Sequence, residues 1–546
     1  MKLRVRVVTG VAFAAGMLGT VESARAGGLL LPGSGAVSTS RAGAAVASAE
    51  GGEALALNPA GIAKTKGTTI TVSAAIIDYA LEFTRRGTYD AIADEALPYE
   101  GTPFPTVRDD AKPSLGIGGF QPIPVVAITS DLGGAVPNLK VGAGLYAPNA
   151  YPFRDMCTEL PGGGCQKYAF NGDPNVPPPP SRYDVVSQDA MILMPSVAAA
   201  YTIADKLDVG ARFSVGTAHI KSTVGLWGEL NNYVENVKRD AMFSVDAKDN
   251  FVTSFGVGVN YRVTPVVELA ASYNSAINVN AKGSAVTELG SQASFNGFPI
   301  VIVPPEDSAA RCEPGGTRTV LRGCAELSVP QTATIGGRYR FLDHTGRERG
   351  DIELNVGWEN WSAERASDYR VVVDGLAFLI DGNGEEGYAA DIQTAFIRHN
   401  LKDTYNARLG GSYRIPVDGS EVIVRGGVGY DTRAANEGWY RVDLDGAART
   451  TLALGAGYKA RSWEVNVGGG VILEGTYENA GTCNPEGIND SKGCGPNGEE
   501  QAQEDRRGPD PITPVLLPDR QAESPISQGT YRSHYLMFML GFSTWF

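Results

Sequence analysis

Six cysteines are the residues of this sequence best suited to redox or metal chemistry. They form three local pairs, Cys157 with Cys165, Cys312 with Cys324, and Cys483 with Cys494. No pair has the C-x₂₋₄-C spacing or the nearby histidine that is typical of a zinc site. An exported chain meets an oxidising compartment, so local pairs of this kind predict loop-stapling disulfides and no metal site.

The chain has four histidines that could take part in acid–base chemistry, namely His219, His344, His399 and His534. None stands with a serine and a carboxylate in the motif context of a Ser-His hydrolase. The sequence contains no P-loop, no G-x-S-x-G and no H-E-x-x-H. We therefore expect a protein that is not an enzyme and that requires no cofactor.

The charged residues lie on strand-like runs with a period of two. Over 352–359 and 404–415 apolar residues alternate with polar ones, and the run 536–546 places alternate large apolar residues on one face. The polar rows hold Glu268, Glu353, Glu359, Asp403, Arg408, Arg414, Glu421, Arg425 and Glu464. A terminal strand that ends in an aromatic residue, here Phe546, resembles the last strand of outer-membrane β-barrels.

The connections between these runs alternate in length. Short ones fall near 131–138, 204–206, 264, 344–349, 416–420 and 460, and long ones near 85–112, 148–186, 230–250, 284–327, 372–402, 434–446 and 479–529. This is the asymmetry between periplasmic turns and extracellular loops in outer-membrane barrels. The pattern predicts an all-β fold, a 14-stranded antiparallel transmembrane β-barrel in the outer membrane of a Gram-negative bacterium.

The first residues have the features of a signal peptide. A basic start precedes a short apolar stretch over 7–18 and an A-x-A site at 24–26, so we expect residues 1–26 to be removed on export. The net charge of −14 argues against a nucleic-acid partner and fits loops that face the outside medium.

Residues 27–63 precede the first expected strand. They are rich in glycine and alanine and lack strand alternation. A 14-stranded barrel is wider than its own side chains can fill, so we expect this segment to fold inside the lumen as a hatch, with the barrel over 64–546.

Several motifs carry a resemblance to a known family. They are Ser40-Arg41-Ala42-Gly43-Ala44-Ala45, Asn58-Pro59-Ala60-Gly61, Val329-Pro330-Gln331 at the expected start of the eighth strand, Trp358 with Trp361 and Ser362, and the stretch 402–410. On these residues the mature chain resembles, over nearly its full length, the FadL-type outer-membrane transporters of long-chain fatty acids and aromatic hydrocarbons.

The resemblance implies uptake of a fatty acid or another hydrophobic compound. In that family the ligand is captured among the outer loops and passes to a barrel site. Movement of the hatch then releases the ligand sideways, through a kink in the third strand, into the membrane. It implies contact with outer-membrane lipid and a monomeric protein, and it leaves the identity of the cargo open.

The resemblance and the residue types together give a set of candidate site residues. For the hatch these are Leu29, Leu30, Leu31, Arg41, Asn58, Pro59 and Ala60. Asn58-Pro59 either starts a helical turn or seats the hatch against the barrel wall, and both can hold. Arg41 either pairs with an inward carboxylate or meets the ligand head group. Pairing is favoured because an unpaired buried charge is costly.

Two further regions are expected to handle the cargo. Glycine in a strand often marks a bulge and proline cannot donate to a ladder, so a lateral opening is expected near Gly142, Gly144 and Pro148. A capture groove among the outer loops is expected from Phe153, Leu226, Trp227, Leu230, Phe295 and Phe298. Because the later strands are polar inside, the apolar route should run along the earlier strands.

Two other functions remain open at this point. A general porin for small hydrophilic solutes would have a water-filled, charged lumen but no plug of 37 residues before its first strand. An adhesin-like barrel would act through its long, stapled loops.

Overall fold

The alternating runs form one closed ring of 14 antiparallel strands in the computed structural model. The structure describes residue 28 and residues 30–546 except 93–94, 114, 161–162, 227–234, 296–297, 381–385, 393–394, 437–438, 445, 480–492, 495–499 and 502–526. The ring closes where the first strand pairs with the last, from Thr69 opposite Trp545 to Arg85 opposite Gly529.

The barrel strands are numbered here in chain order. They are β1 Thr68–Arg85, β2 Gln121–Ser130, β3 Leu139–Tyr146, β4 Ser187–Ile203, β5 Leu207–Leu226, β6 Ala241–Arg262, β7 Val267–Asn274 with Ile277–Leu289, β8 Leu321–Val329 with Thr332–Leu342, β9 Glu348–Glu359, β10 Thr404–Val417, β11 Ser420–Asp431, β12 Arg449–Lys459, β13 Trp463–Asn479 and β14 Gly529–Trp545. The predicted strand number, the six short turns and the seven long connections are confirmed.

Smaller elements decorate the ring. Loop strands span Thr106–Asp109, Phe153–Glu159, Cys165–Lys167, Ser294–Phe295, Phe298–Val303, Asp368–Asp374, Leu376–Ile380, Glu386–Asp391, Ala395–Arg398, Gly493–Cys494 and Glu500–Gln501. Helices are α1 Ala36–Thr39, α2 Gly51–Leu57 and α3 Glu364–Ser367, with short 3₁₀ helices at Pro59–Lys64, Leu132–Gly134 and Asp307–Ala309. No helix in the described part of the chain is long and apolar enough to cross a membrane.

The outer face of the ring is greasy, as the period of two predicts. On β14 Phe538 and Leu540 are 54% and 57% exposed, whereas Met537 and Met539, which alternate with them, are buried. Large apolar side chains on the outer row of every barrel strand would be unstable in water, but they match the hydrocarbon of a bilayer.

The motif Val329-Pro330-Gln331 lies directly before Thr332, where the ring part of β8 begins, as the sequence predicts. A further strand, Leu321–Val329, precedes the motif, so β8 as a whole is interrupted at Pro330. Proline cannot donate to a ladder, and β7 is interrupted at the facing position, between Asn274 and Ile277. The outer halves of β7 and β8 therefore form a separate arm above the ring.

Residues 30–64, called the hatch segment below, contact strands on opposite sides of the ring. The Ala36 backbone N–H donates to Ser73 on β1, Arg41 binds Asp351 on β9, and Asn58 donates to Asn260 on β6. Contacts in several directions at once are consistent with a segment that lies within the lumen.

Candidate functional site

β3 joins β2 to β4, but β3 is shorter than its two neighbours at the extracellular end. β3 pairs with both neighbours as far as Tyr146, which lies opposite Val125 and Met194. Beyond that point residues 121–124 pair only with β1, and residues 190–193 pair only with β5. The wall of the ring therefore has a gap between β2 and β4 over this height.

Two prolines lower the number of unpaired backbone N–H groups at this gap. The Pro124 carbonyl accepts the last hydrogen bond from the third strand, from the Ala147 N–H at 3.4 Å, so the nitrogen of Pro124 also faces the gap. Pro122 has the same parity. Neither residue has an N–H group, so the edge of β2 leaves fewer donors unpaired in lipid.

The chain after β3 turns inward onto the hatch segment. The Asn149 Nδ2 donates to the carbonyls of Leu31, Pro32 and Gly33 at 3.2, 3.0 and 2.8 Å, and the Leu31 N–H donates to the Asn149 carbonyl at 2.6 Å. A bridge between Leu30 and Ala150 adds to this contact. The position of this inward turn after β3, called the kink below, and that of the first hatch residues are therefore coupled.

An apolar cavity of about 580 Å³ lies beside the kink. This volume is within the range of roughly 300–1,000 Å³ found for small-molecule sites. Its apolar wall is built by β4 to β8 and the outer loops, and includes Ala190, Ile192, Ile220, Val224, Phe243, Val245, Ile300, Ile302 and Val371.

The cavity reaches the outer face of the ring on both sides of the gap. Pro122 and Pro124 on β2, and Met191 and Leu193 on β4, belong to the rows that face lipid, and all four line the cavity. On the inner side the cavity ends at Leu30 and at Trp361, the first of which belongs to the hatch segment.

A buried polar cluster from the loops borders the other end of the cavity. Arg441 Nη2 lies 3.1 Å from Asp184 and its Nε 3.2 Å from Asp443. The His399 ring joins the Ser367 carbonyl at 3.0 Å through Nδ1 and Asp443 at 2.9 Å through Nε2. The ring thus bridges two loops, since the Ser367 carbonyl and Asp443 belong to different connections.

The charge state of Asp443 follows from these neighbours. Burial raises the pKa of this carboxyl, but the adjacent His399 and Arg441 outweigh burial and hold the pKa below its ordinary value. The cluster joins four loops, since the Ser527 hydroxyl also donates to Asp184 at 3.0 Å. It closes the outer end of the cavity with paired charges.

The predicted pairing of Arg41 is present in the lumen. Its Nη1 and Nη2 donate to the two oxygens of Asp351 at 2.9 and 2.7 Å, and Nη2 lies 3.3 Å from Glu353. Glu353 also accepts from the backbone N–H groups of Ala47 and Ser48. Arg41 therefore anchors the hatch segment to β9, away from the apolar cavity.

Asn58-Pro59-Ala60 sits tightly against β5 and β6. The Asn58 side chain accepts from the Ala60 N–H at 3.1 Å and donates to the Val46 carbonyl at 2.8 Å, so it caps the turn as expected. A Cβ atom at Gly258 would overlap the Asn58 amide, and one at Gly210 would overlap the Pro59 backbone. The wall is glycine where this turn touches it.

The residues expected at the lateral opening occupy different places. Gly142 and Gly144 lie within the paired part of β3, opposite Thr129 and Ala127. A Cβ at Gly144 would lie 2.5 Å from the Val126 carbonyl oxygen, so this glycine serves strand packing. Pro148 lies in the gap and lines the cavity.

The residues expected in the capture groove and hatch divide in the same way. Leu30, Phe153 and Leu226 line the apolar cavity, whereas Leu31 is buried in the adjoining core. Phe295 and Phe298 belong to short strands of an outer-loop sheet, and for these two residues only the backbone is described. Leu29, Trp227 and Leu230 lie outside the described residues.

Two of the three expected disulfides are present within the described residues. Cys157 is bonded to Cys165 in the connection between β3 and β4, and Cys312, in the connection between β7 and β8, is bonded to Cys324 on the outer half of β8. Cys483 lies outside the described residues, and only the backbone of Cys494 is described. The two observed bonds staple segments that flank the cavity.

Sequence reasoning missed three residues that shape the site. Asn149 ties the kink to the hatch segment, and its only sequence signal is a position between Pro148 and Pro152. Trp361 is 1% exposed and forms the inner wall, and Tyr369 packs on the His399 ring with centroids 4.8 Å apart. Trp361 belongs to a motif shared with the family, but no pattern in the neighbouring sequence indicated that it faces a cavity.

Fold and site together define a class: an outer-membrane β-barrel with a segment inside its lumen and an apolar cavity at a gap in its wall. The family model for outer membrane protein transport proteins (OMPP1/FadL/TodX) matches residues 182–472. The match covers more than half of the sequence, and the chain belongs to this family, whose members reside in the outer membrane.

Solved structures support the same fold. A FadL homologue of Pseudomonas aeruginosa superposes with a TM-score of 0.62 at 16% identity, covering 95% of this chain and 100% of that one. The Ralstonia pickettii toluene transporter TbuX and the Pseudomonas putida toluene transporter TodX each give 0.55 at 14% identity, covering 94% of this chain and 99% of theirs. No curated protein sequence matches the chain.

Proposed function

We propose that this protein takes up long-chain fatty acids or other hydrophobic compounds across the outer membrane, as a monomer and without enzymatic activity. The cargo is captured among the outer loops and enters the apolar cavity. It then leaves sideways through the gap between β2 and β4 once the first hatch residues move. The observation that carries the proposal is a single cavity lined by loop residues, lumen residues and lipid-facing residues.

A sideways exit suits a cargo that avoids water. Keeping one methylene group out of water is favourable by about 0.8 kcal/mol, so exit through water would be strongly unfavourable for a long acyl or alkyl chain. The cavity walls at the gap are Pro122, Pro124, Met191 and Leu193, which offer no competing hydrogen bonds from their side chains. The cargo can therefore pass from the cavity to lipid over apolar surface.

The hatch segment supplies the gate in this scheme. Leu30 forms the inner wall of the cavity, and the Asn149 side chain holds the carbonyls that follow it. Arg41 and Asn58 fix the rest of the segment to β9 and β6. Movement confined to the residues before Ala36 would enlarge the cavity without releasing the whole segment.

The decisive experiment fills the gap without disturbing β3. Ala147→Trp places an indole at the cavity mouth, and we expect uptake of a radiolabelled fatty acid and of an aromatic hydrocarbon to fall about tenfold. Ala199→Trp is the matched control, because Ala199 faces lipid in the regular part of β4. Uptake that stays at the wild-type level in Ala147→Trp would argue against the lateral route.

The porin alternative is not favoured, because the hatch segment binds strands on opposite sides of the ring and the cavity at the gap is apolar. A second arm of the same experiment separates the two functions. Deletion of residues 27–63 should raise conductance in planar bilayers and remove selectivity among hydrophobic compounds. A porin would keep its conductance after the deletion.

A further inference from the structure

Behind the inner wall of the apolar cavity lies a polar cluster with incomplete hydrogen bonding. Arg449, the first residue of β12, is fully buried and donates from Nη2 to the Leu30 carbonyl at 2.6 Å. Within the described residues its Nε and Nη1 have no partner, and it is the one side chain there with two such buried atoms.

The acceptor side of this cluster is incomplete as well. Asp431 lies directly opposite Arg449 in the register between β11 and β12. Its Oδ1 accepts from Arg408 at 2.5 Å, whereas Oδ2 is buried and has no partner among the described residues. Two unused donors and one unused acceptor therefore lie on directly paired residues of neighbouring strands.

The cluster adjoins the cavity through two residues. Leu30 lines the cavity with its side chain and binds Arg449 with its carbonyl. Trp361 lines the cavity with its ring and donates from Nε1 to Glu359 at 2.7 Å, and Glu359 is an electrostatic neighbour of Arg449. Movement of Leu30 would open a direct path from the cavity to Arg449.

The charges around Arg449 disfavour an anionic ligand. Among the described residues, the cations Arg408 and Arg449 already have the carboxyl groups of Asp431, Glu359 and Glu474 as neighbours. A further carboxylate would add a buried negative charge without a cation to match it, which is costly. The site fits an uncharged group that both accepts and donates, and a hydroxyl group does both.

We propose that Arg449 and Asp431 form an inner binding site for the hydroxyl group of an uncharged hydrophobic cargo, an aliphatic alcohol or a phenol. The hydroxyl oxygen accepts a hydrogen bond from Arg449, and the hydroxyl group donates one to Asp431 Oδ2. The apolar part of the cargo stays in the cavity. This inference rests on the proposed function, because the cargo reaches Arg449 only after Leu30 gives way.

The test compares decanol, decane and decanoate, which share one chain length, by uptake into proteoliposomes that carry the intact protein. Wild type should prefer decanol over both others. Arg449→Met should lower decanol uptake about five- to tenfold, as expected for the loss of hydrogen bonds, and leave decane unchanged. Arg425→Met is the matched control, since Arg425 is buried on β11 but binds Asn466 and Glu464.

The outcomes separate this site from the proposed function. Equal loss of decanol and decane in Arg449→Met, or a wild-type preference for decanoate, would overturn the hydroxyl site while leaving hydrophobic uptake intact. Failure of wild type to take up any of the three would overturn the proposed function itself. Should Arg449→Met not fold, the wild-type preference among the three compounds still decides the proposal.

Discussion

The lumen of this barrel has two unlike walls. The wall built by β2 to β7 and by the outer half of β8 is apolar around the cavity and has a gap toward lipid. The wall built by the inner half of β8 and by β9 to β13 carries charged pairs, such as Arg338 with Asp351 at 2.9 Å and Arg425 with Glu464 at 2.9 Å. The first wall leaves space for an apolar guest, and the second binds the hatch segment.

The difference shows how one strand pattern can serve two purposes. Both walls alternate with a period of two, and both face lipid with apolar side chains. Only the inward row changes, from residues such as Ile220 and Val245 to residues such as Glu353 and Arg408. Buried charges require fixed partners, so the charged wall suits an anchor, whereas the apolar wall suits an exchangeable ligand.

The largest expected effect comes from breaking the anchor on the charged wall. Arg41→Met removes the cation that pairs with Glu353 and one of the two cations that pair with Asp351. The loss of one partner from a buried pair lowers the free energy of unfolding by about 3–5 kcal/mol. We expect the hatch segment to detach, which should raise conductance in planar bilayers and lower the temperature of heat-induced unfolding.

A surface pair provides the control for this variant. Arg86→Met removes the pair with Glu478, whose side chains are 39% and 61% exposed, and should change stability by no more than about 1 kcal/mol. Identical conductance traces from the two variants would mean that the charged wall does not hold the hatch segment.

The division into two walls was readable from the sequence, but the cavity was not. Alternation predicted that Glu353, Arg408 and Arg425 face inward, where they are buried, but it was wrong for Asp403, which binds Trp358 of the outer row. The cost of burying Arg41 unpaired predicted its carboxylate partner. These inferences need only local patterns and one general rule. Asn149 and Leu31 are 118 residues apart, and no local pattern indicates such a contact.

The position of the gap illustrates the same limit. Gly142 and Gly144 were expected to mark the opening, and they lie in regular pairing because close packing also selects glycine. The prolines at 122 and 124, which lack N–H groups at the edge of the gap, are a better signal. Their meaning depends on which side of β2 they face, and that is fixed only by the register.

The second prediction tests the apolar wall by enlarging it. Phe243 lies on β6 and lines the cavity, so Phe243→Ala should admit bulkier hydrophobic compounds. We expect a cost near the lower end of the roughly 3–5 kcal/mol that is usual for Phe→Ala, because one side of the ring already borders open space. Competition between a slim and a bulky hydrocarbon in an uptake assay measures the change.

Phe255→Ala is the matched control for this change. Phe255 lies on the same strand but faces lipid, with 49% of its side chain exposed. Its removal should leave the preference between the two hydrocarbons at the wild-type value. A shift of preference in both variants would show that the barrel responds as a whole, and would remove the distinction between the walls.

The smallest effect concerns a charged cluster at the rim of the apolar wall. Asp240 precedes β6, is fully buried, and binds Arg182 at 3.3 Å and the Tyr183 hydroxyl at 2.7 Å. Glu235 shares Arg182, at 3.1 Å. Burial raises the pKa of Asp240 to about 6, although Arg182 opposes this.

The sign of the pH dependence follows from this shift. The folded pKa exceeds the unfolded value of about 3.9, so the stabilisation is complete below about pH 4 and is lost as the pH rises through about 6. Hydrogen exchange in the loop around Asp240, corrected for intrinsic rates, should therefore rise about tenfold over this window. Asp240→Asn should flatten the profile, because the amide does not titrate. An unchanged profile in this variant would assign the pH dependence to another group, and the rim cluster would then resemble the fixed pairs of the charged wall.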